Sequence, residues 1–225
     1  MSVITFNNIS AIWFARSGQK PKNQPNYSGL PEWLNKTMAT TMLLGLLPLL
    51  LITALLIRIE SKGTIIFKQT RVGKNGRHFT MYKFRSMYLT QDKRYKEPAK
   101  ESSDRDGICK KYVNDPRISK VGKIIRKLSI DELPQLINVI KGDMYLVGPR
   151  PALPIEVQEY SRNHYSRLDC QPGLTGLWQV SGRADTSFEE QIILDKLYIK
   201  HRTIWLDLKI LLMTIPTVIM AKGAY

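Results

Sequence analysis

From Thr37 to Ile57 the chain runs through 21 residues without a charge, TMATTMLLGLLPLLLITALLI, held between Lys36 and Arg58. As a helix this stretch rises about 30 Å, the thickness of a bilayer's hydrocarbon core. Membrane association is therefore the strongest constraint on what the chain can fold into. Pro48 stands near the middle of the run, where it removes a backbone donor and crowds the preceding turn, so a kink is expected near Leu47. Cations flank both ends: Arg16, Lys20, Lys22 and Lys36 before, and Arg58, Lys62, Lys68 and Arg71 after. That symmetry orients no span. Two topologies follow. One is a tilted span kinked at Pro48, the commoner outcome for such a composition. The other is a hairpin that enters and leaves one leaflet and keeps both basic flanks in the cytoplasm. Residues 1–36 read as an N-terminal extension, without the basic and apolar regions of a signal peptide.

The remainder, residues 58–225, is expected to form one globular unit. The net charge of +15 is concentrated in its first part, because residues 58–127 hold 20 Lys and Arg against 7 Asp and Glu, a net +13. Such a block suits anionic lipid, phosphate-bearing substrates or nucleic acid. Aromatic residues interleave sparsely with these cations, which argues against stacking on nucleic acid. Cys109 and Cys170 have no CxxC spacing, and His78, His164 and His201 lie far apart. Neither set suggests a disulfide framework or a metal ligand set.

GTIIFKQTRVGKNGRHFTMYKFRSM reads as a β-hairpin turning at GKNG. Lys83 and Arg85, two residues apart, would share one face. Residues 88–107 are polar and read as an exposed loop. Ser129 to Lys141 has helical spacing of Leu133, Leu136, Ile137 and Ile140 and stops at Gly142. Ser129 and Glu132 match a capping box there, weakened by Pro134. The C-terminal stretch from Glu189 reads as one or two amphipathic helices, with Tyr198 and Trp205 suited either to a membrane interface or to a core.

Asp131 and Glu132 follow the run RISKVGKIIRKLS, which holds five cations and no anion. Helix capping accounts for the pair but not for that approach. A carboxylate can attack a phosphoryl centre and form an acyl phosphate when a metal ion or Arg and Lys neutralise the charge between them. Neighbouring helical residues point about 100° apart, so the two carboxylates would take different roles.

Three ordered blocks, QTRVGKNGRHFTMYKFRSM, DPRISKVGKIIRKLSIDELPQLINVIKGDMYLVGPRP and QPGLTGLWQVSGR, follow the Pro-broken apolar run. Together they strongly resemble the bacterial sugar transferases, or monotopic phosphoglycosyl transferases, over roughly residues 37–216. The resemblance implies an α/β membrane-associated fold: a re-entrant helix (37–57) broken at Pro48, a small catalytic domain (58–225) with a β-hairpin, and interfacial amphipathic helices. It further implies transfer of a sugar 1-phosphate from a UDP-sugar to polyprenyl phosphate, with UMP released and Mg2+ as cofactor. The setting it implies is the cytoplasmic face of the inner membrane, at the first step of capsule, exopolysaccharide or O-antigen synthesis.

Carried over by motif, Asp131 is the nucleophile and lies close to the magnesium, and Glu132 is the general base or the orienter of the dyad. Lys83, Arg85, Arg126, Arg150 and Arg183 match basic positions that serve phosphate or substrate. The chain looks like the family's minimal catalytic form, with room for a homo-oligomer. Where the family has Ser-Pro at the helix break this chain has Leu47-Pro48, so Thr41 or Thr53 would have to replace the missing hydroxyl. Two rival readings stay open. One is a single-span anchor whose basic module binds anionic lipid, and the other is a non-catalytic assembly factor.

Overall fold

The computed structural model describes residues 29–97, 115–182 and 186–220. The apolar run forms not one helix but two, α1 (Glu32–Gly45) and α2 (Leu47–Glu60), bent by 61° at Leu46. No single described helix is long and apolar enough to cross a membrane, whereas this pair would be by length and composition. Helix formation begins five residues before the uncharged run, after Pro31, and continues to Glu60. Pro48 thus lies in the first turn of α2, where the missing N–H deprives the helix of nothing. The expected hydroxyl substitutes do not act at the break: Thr41 bonds Thr37 O at 3.0 Å and Thr53 bonds Leu49 O at 2.8 Å, each its own preceding turn. The Leu46 N–H closes the end of α1 instead, reaching Met42 O at 2.9 Å.

The expected hairpin is present. β1 (Ile66–Val72) pairs antiparallel with β2 (His78–Phe84) in a register running from Ile66 opposite Phe84 to Val72 opposite His78. Its turn needs positive φ at Asn75 and Gly76, the two residue types that adopt it most readily. Next come α3 (Lys120–Lys127), a 3₁₀ segment (Ile130–Gln135) and α4 (Leu136–Lys141). The helix expected from Ser129 is therefore divided. Pro134 has no N–H to give an α-helical bond, and regular α geometry starts only at Leu136. It stops at Gly142, whose φ of +83° is the usual left-handed helix end.

β3 (Tyr145–Val147) and β4 (Gly173–Thr175) form a short parallel pair, with α5 (Pro154–Gln158) and a 3₁₀ turn (Tyr165–Asp169) between them. After β4 come α6 (Leu177–Ser181), α7 (Phe188–His201) and α8 (Ile204–Ile219). The main core gathers Leu136, Val139, Met144, Leu146, Val147, Tyr198 and Ile210 around Ala39 of α1. Tyr198, a candidate interfacial residue from sequence, is instead 1% exposed and donates its hydroxyl to Asp207 Oδ1 at 2.7 Å. Trp205 is 80% exposed, as an interfacial residue would be. A second cluster joins Ile57 of α2, Phe84 of β2 and Ile125 of α3, with Leu50, Ala54 and Ile130 against it.

Candidate active site

Asn138 of α4 sets the stage. Its Oδ1 accepts from Tyr82 N at 3.1 Å and its Nδ2 donates to Thr80 O at 2.7 Å, so a side chain takes the place of a neighbouring strand along β2. That contact draws the 3₁₀ segment onto the hairpin and brings Lys83 to Glu132. Lys83 Nζ lies 2.7 Å from Glu132 Oε1, and Arg150 Nη1 lies 3.5 Å from the same oxygen. Ser129 does not cap the segment as expected. It adopts left-handed backbone, φ +53°, and its side chain accepts no capping bond, while Glu132 turns to Lys83 rather than back to the chain.

Asp131 is 9% exposed, and no hydrogen bond reaches its carboxyl from the described residues. Burial pushes its pKa up to about 6, the nearby Glu132 charge adds to the rise, and Lys83, Arg126 and Arg150 oppose it. Glu132 goes the other way. Burial alone would raise it, but the Lys83 and Arg150 cations outweigh burial and hold it well below the usual carboxylate range. The two carboxyls are thus driven apart, one fixed as a paired anion and the other a barely solvated group that changes charge near neutral pH.

The loop carrying Arg150 is pinned from several sides. Gly148 and Gly173 approach so closely that a Cβ on Gly173 would sit 2.0 Å from Gly148 N, and Gly173 N donates to Pro149 O at 2.8 Å. Arg71 Nη1 holds Pro151 O at 3.1 Å, and Arg167 Nη2 reaches Arg150 O at 3.4 Å. Arg167 is itself buried against Asp195, at 2.6 Å. Arg126 adds positive potential at Asp131, and its Nη1 is buried with no hydrogen-bond partner among the described residues. A guanidinium nitrogen left this way is a ready donor to an anion's oxygen.

The structure thus brings together Asp131, Glu132, Lys83, Arg126 and Arg150. Arg85 is not among them. Its guanidinium turns to the end of α2, donating to Lys62 O at 2.7 Å and to Ser61 O and Oγ at 2.8 Å each. The expected shared face with Lys83 is lost because Arg85 lies one residue past the end of β2. Arg183 lies outside the described residues. Asn138, Arg71 and Arg167 support the site, and no motif in the sequence points to them. For Asn138 a signal existed, an amide between apolar helix positions, while the two arginines carried none.

The chain belongs to the bacterial sugar transferase family, whose profile matches residues 27–221. Galactosyl transferase CpsE of Streptococcus agalactiae is 48% identical over 163 residues, covering 72% of this chain and 36% of the relative. Undecaprenyl-phosphate galactose phosphotransferase of Salmonella typhimurium is 45% identical over 170 residues, covering 72% and 35%. The chain thus spans about a third of the length of these two. Exopolysaccharide production protein ExoY of Rhizobium meliloti is 38% identical over 190 residues and is matched over 84% of its own length.

Proposed function

We propose that this chain transfers a sugar 1-phosphate from a UDP-sugar to polyprenyl phosphate at the cytoplasmic face of the inner membrane. The observation that carries the reading is Asp131, a largely buried carboxyl that receives no hydrogen bond from the described residues and has Glu132, Lys83, Arg126 and Arg150 as charged neighbours, in a chain of this family. A structural carboxylate at that depth would be paired; a nucleophile has to be left free. The names of relatives that act on undecaprenyl phosphate support the acceptor class.

In the first step an Asp131 carboxylate oxygen bonds to the sugar-bearing phosphorus, and the bond from that phosphorus to the UMP oxygen breaks. UMP leaves with the bonding pair. In the second step an oxygen of polyprenyl phosphate attacks the same phosphorus, the acyl phosphate bond breaks, and Asp131 returns to carboxylate. Lys83 and Arg150 hold Glu132 in one place as an anion, from which its charge makes Asp131 the more basic of the two carboxylates and so the better nucleophile. Arg126 and Arg150 supply guanidinium donors for phosphate oxygens.

The donor set fits Mg2+ in one manner only. Among the described residues no group of three or more His, Cys, Asp and Glu could hold a metal by protein ligands alone. A single free carboxylate beside a diphosphate is how Mg2+ is commonly bound, with water completing the shell. Asp131 would hold it, and bound there it would offset charge on the diphosphate.

The topology that accompanies this function is re-entry of α1 and α2 into one leaflet, with α8 at the interface. Purified protein given a panel of UDP-sugars, Mg2+ and polyprenyl phosphate should release UMP, and without the acceptor it should retain a covalent sugar-phosphate label. Asp131→Asn, nearly isosteric, should do neither. Label retained by that variant would overturn the assignment.

A further inference from the structure

Glu60, the last residue of α2, is bound to an element distant in sequence. Its Oε1 accepts from Lys120 N at 2.7 Å and from Tyr88 OH at 3.2 Å, and its Oε2 accepts from Val121 N at 3.1 Å. The first turn of α3 leaves these amides without helical acceptors. Ser119 Oγ serves a third, Gly122 N, at 2.9 Å. The cap of α3 therefore comes partly from its own N-cap residue and partly from a helix 60 residues earlier. Arg85 fixes the same junction from the hairpin side, through the carbonyls of Ser61 and Lys62, and Arg94 Nη2 holds Glu60 O at 2.9 Å.

From α3 the connection to the dyad is short and continuously bonded. Leu128 N donates to Ile124 O at 3.1 Å, Ser129 N to Arg126 O at 3.0 Å, and Glu132 N to Ser129 O at 3.2 Å. An apolar route runs alongside, since Ile130 packs in the cluster that holds Ile57, Leu50 and Ala54 of α2. The end of α2 and the segment before Asp131 are thus joined both by hydrogen bonds and by shared apolar packing. Close-packed interfaces move as blocks.

We propose that Glu60 is a positioning residue, which locks α3 to the end of the bent helix pair and thereby makes the placement of the Asp131–Glu132 dyad depend on where that pair sits. The catalytic consequence rests on the transferase reading, while the mechanical one does not. Hydrogen exchange of the full chain in lipid nanodiscs separates them, with Glu60→Ala and Glu60→Gln compared to wild type. Loss of a cap in the Ala variant should speed exchange at 120–122 and 129–132 by about fivefold to tenfold. The Gln variant, which keeps one acceptor oxygen, should fall between, and protection in β3 and β4 should not change.

In the transfer assay kcat should fall by about tenfold or more with KM for the UDP-sugar unchanged. Unchanged protection at 129–132 would overturn the proposal, and so would equal loss from β3 and β4, which would make Glu60 a general stability residue. A wild-type protein that releases no UMP would sink the transferase reading, and the exchange comparison alone would then decide the role of Glu60.

Discussion

At Asp131 the requirements of folding and of chemistry conflict, and the conflict is measurable. Its pKa of about 6 in the folded protein stands above the value near 3.9 of an unfolded aspartate. Below pH ~4 both states hold the proton, and between ~4 and ~6 the unfolded state releases it first, so stability falls as pH rises through that window. Asp131→Asn has no proton to lose. Urea titration should find it more stable than wild type above pH 6, by on the order of 2 kcal/mol, with the gap closing toward pH 4. Equal midpoints at pH 7.5 would mean that Asp131 carries no desolvation penalty.

On the proposed mechanism the same group sets the activity profile. A nucleophile must be ionised, so kcat should rise with pH and level off above about 6. A flat profile from pH 5 to 8 would remove Asp131 from that role. Arg150→Lys tests the third member: its 3.5 Å contact to Glu132 and its guanidinium fork both suit phosphate. Transfer should drop at least tenfold in the Lys variant, and wild-type turnover would return Arg150 to ordinary surface charge. Asp131, Glu132, Lys83 and the charge around them were legible in the sequence, because the basic approach and the motif order both point to them. Arg85 was misleading. Strand alternation put it beside Lys83, but the strand ends at Phe84 and the helix C-terminus nearby offers carbonyls to a cation.

Among the elements, the hairpin was the easiest to read, since alternating β-rich runs around GKNG specify turn and register together. The segment after Ser129 was harder. Ser-x-x-Glu is a local pattern, and a partly buried lysine from a strand 49 residues earlier in the chain took the glutamate. No local rule contains that competition. The docking of α4 on β2 is equally non-local and depends on Asn138, which is fully buried. Asn138→Ala should leave Tyr82 N and Thr80 O without their partner and lower stability by about 1–3 kcal/mol, read as a lower urea midpoint. It should also disturb the dyad, because Lys83 follows Tyr82 directly. A variant with unchanged midpoint and unchanged transfer would show that the hairpin reaches Glu132 without this bridge.

On the scale of the molecule, the two ends of the bent pair are held by one body. At the entry, Leu30 N donates to Asp207 Oδ2 at 2.7 Å and Asn35 Oδ1 accepts from Leu146 N at 2.8 Å. At the exit, Arg85 and Glu60 bind the end of α2 to β2 and α3. Between these anchors Leu44, Leu51, Ile52, Leu55 and Ile59 are each more than half exposed, an apolar surface that suits lipid rather than water. Two ends anchored to the same small domain suit a pair that enters and leaves one face of a bilayer core about 30 Å thick. If that surface is in lipid, the proposed re-entry follows from attachment at both ends rather than from the proline, in contrast to the tilted span that composition alone favours. Single cysteines at Glu32 and Lys62, both exposed, in a background without Cys109 and Cys170, make this testable with an impermeant thiol reagent on intact cells. Both should stay unlabelled until the cells are opened and then react together. Labelling at position 32 alone in intact cells would establish a span and mean that the entry contacts through Leu30 and Asn35 do not form in the membrane.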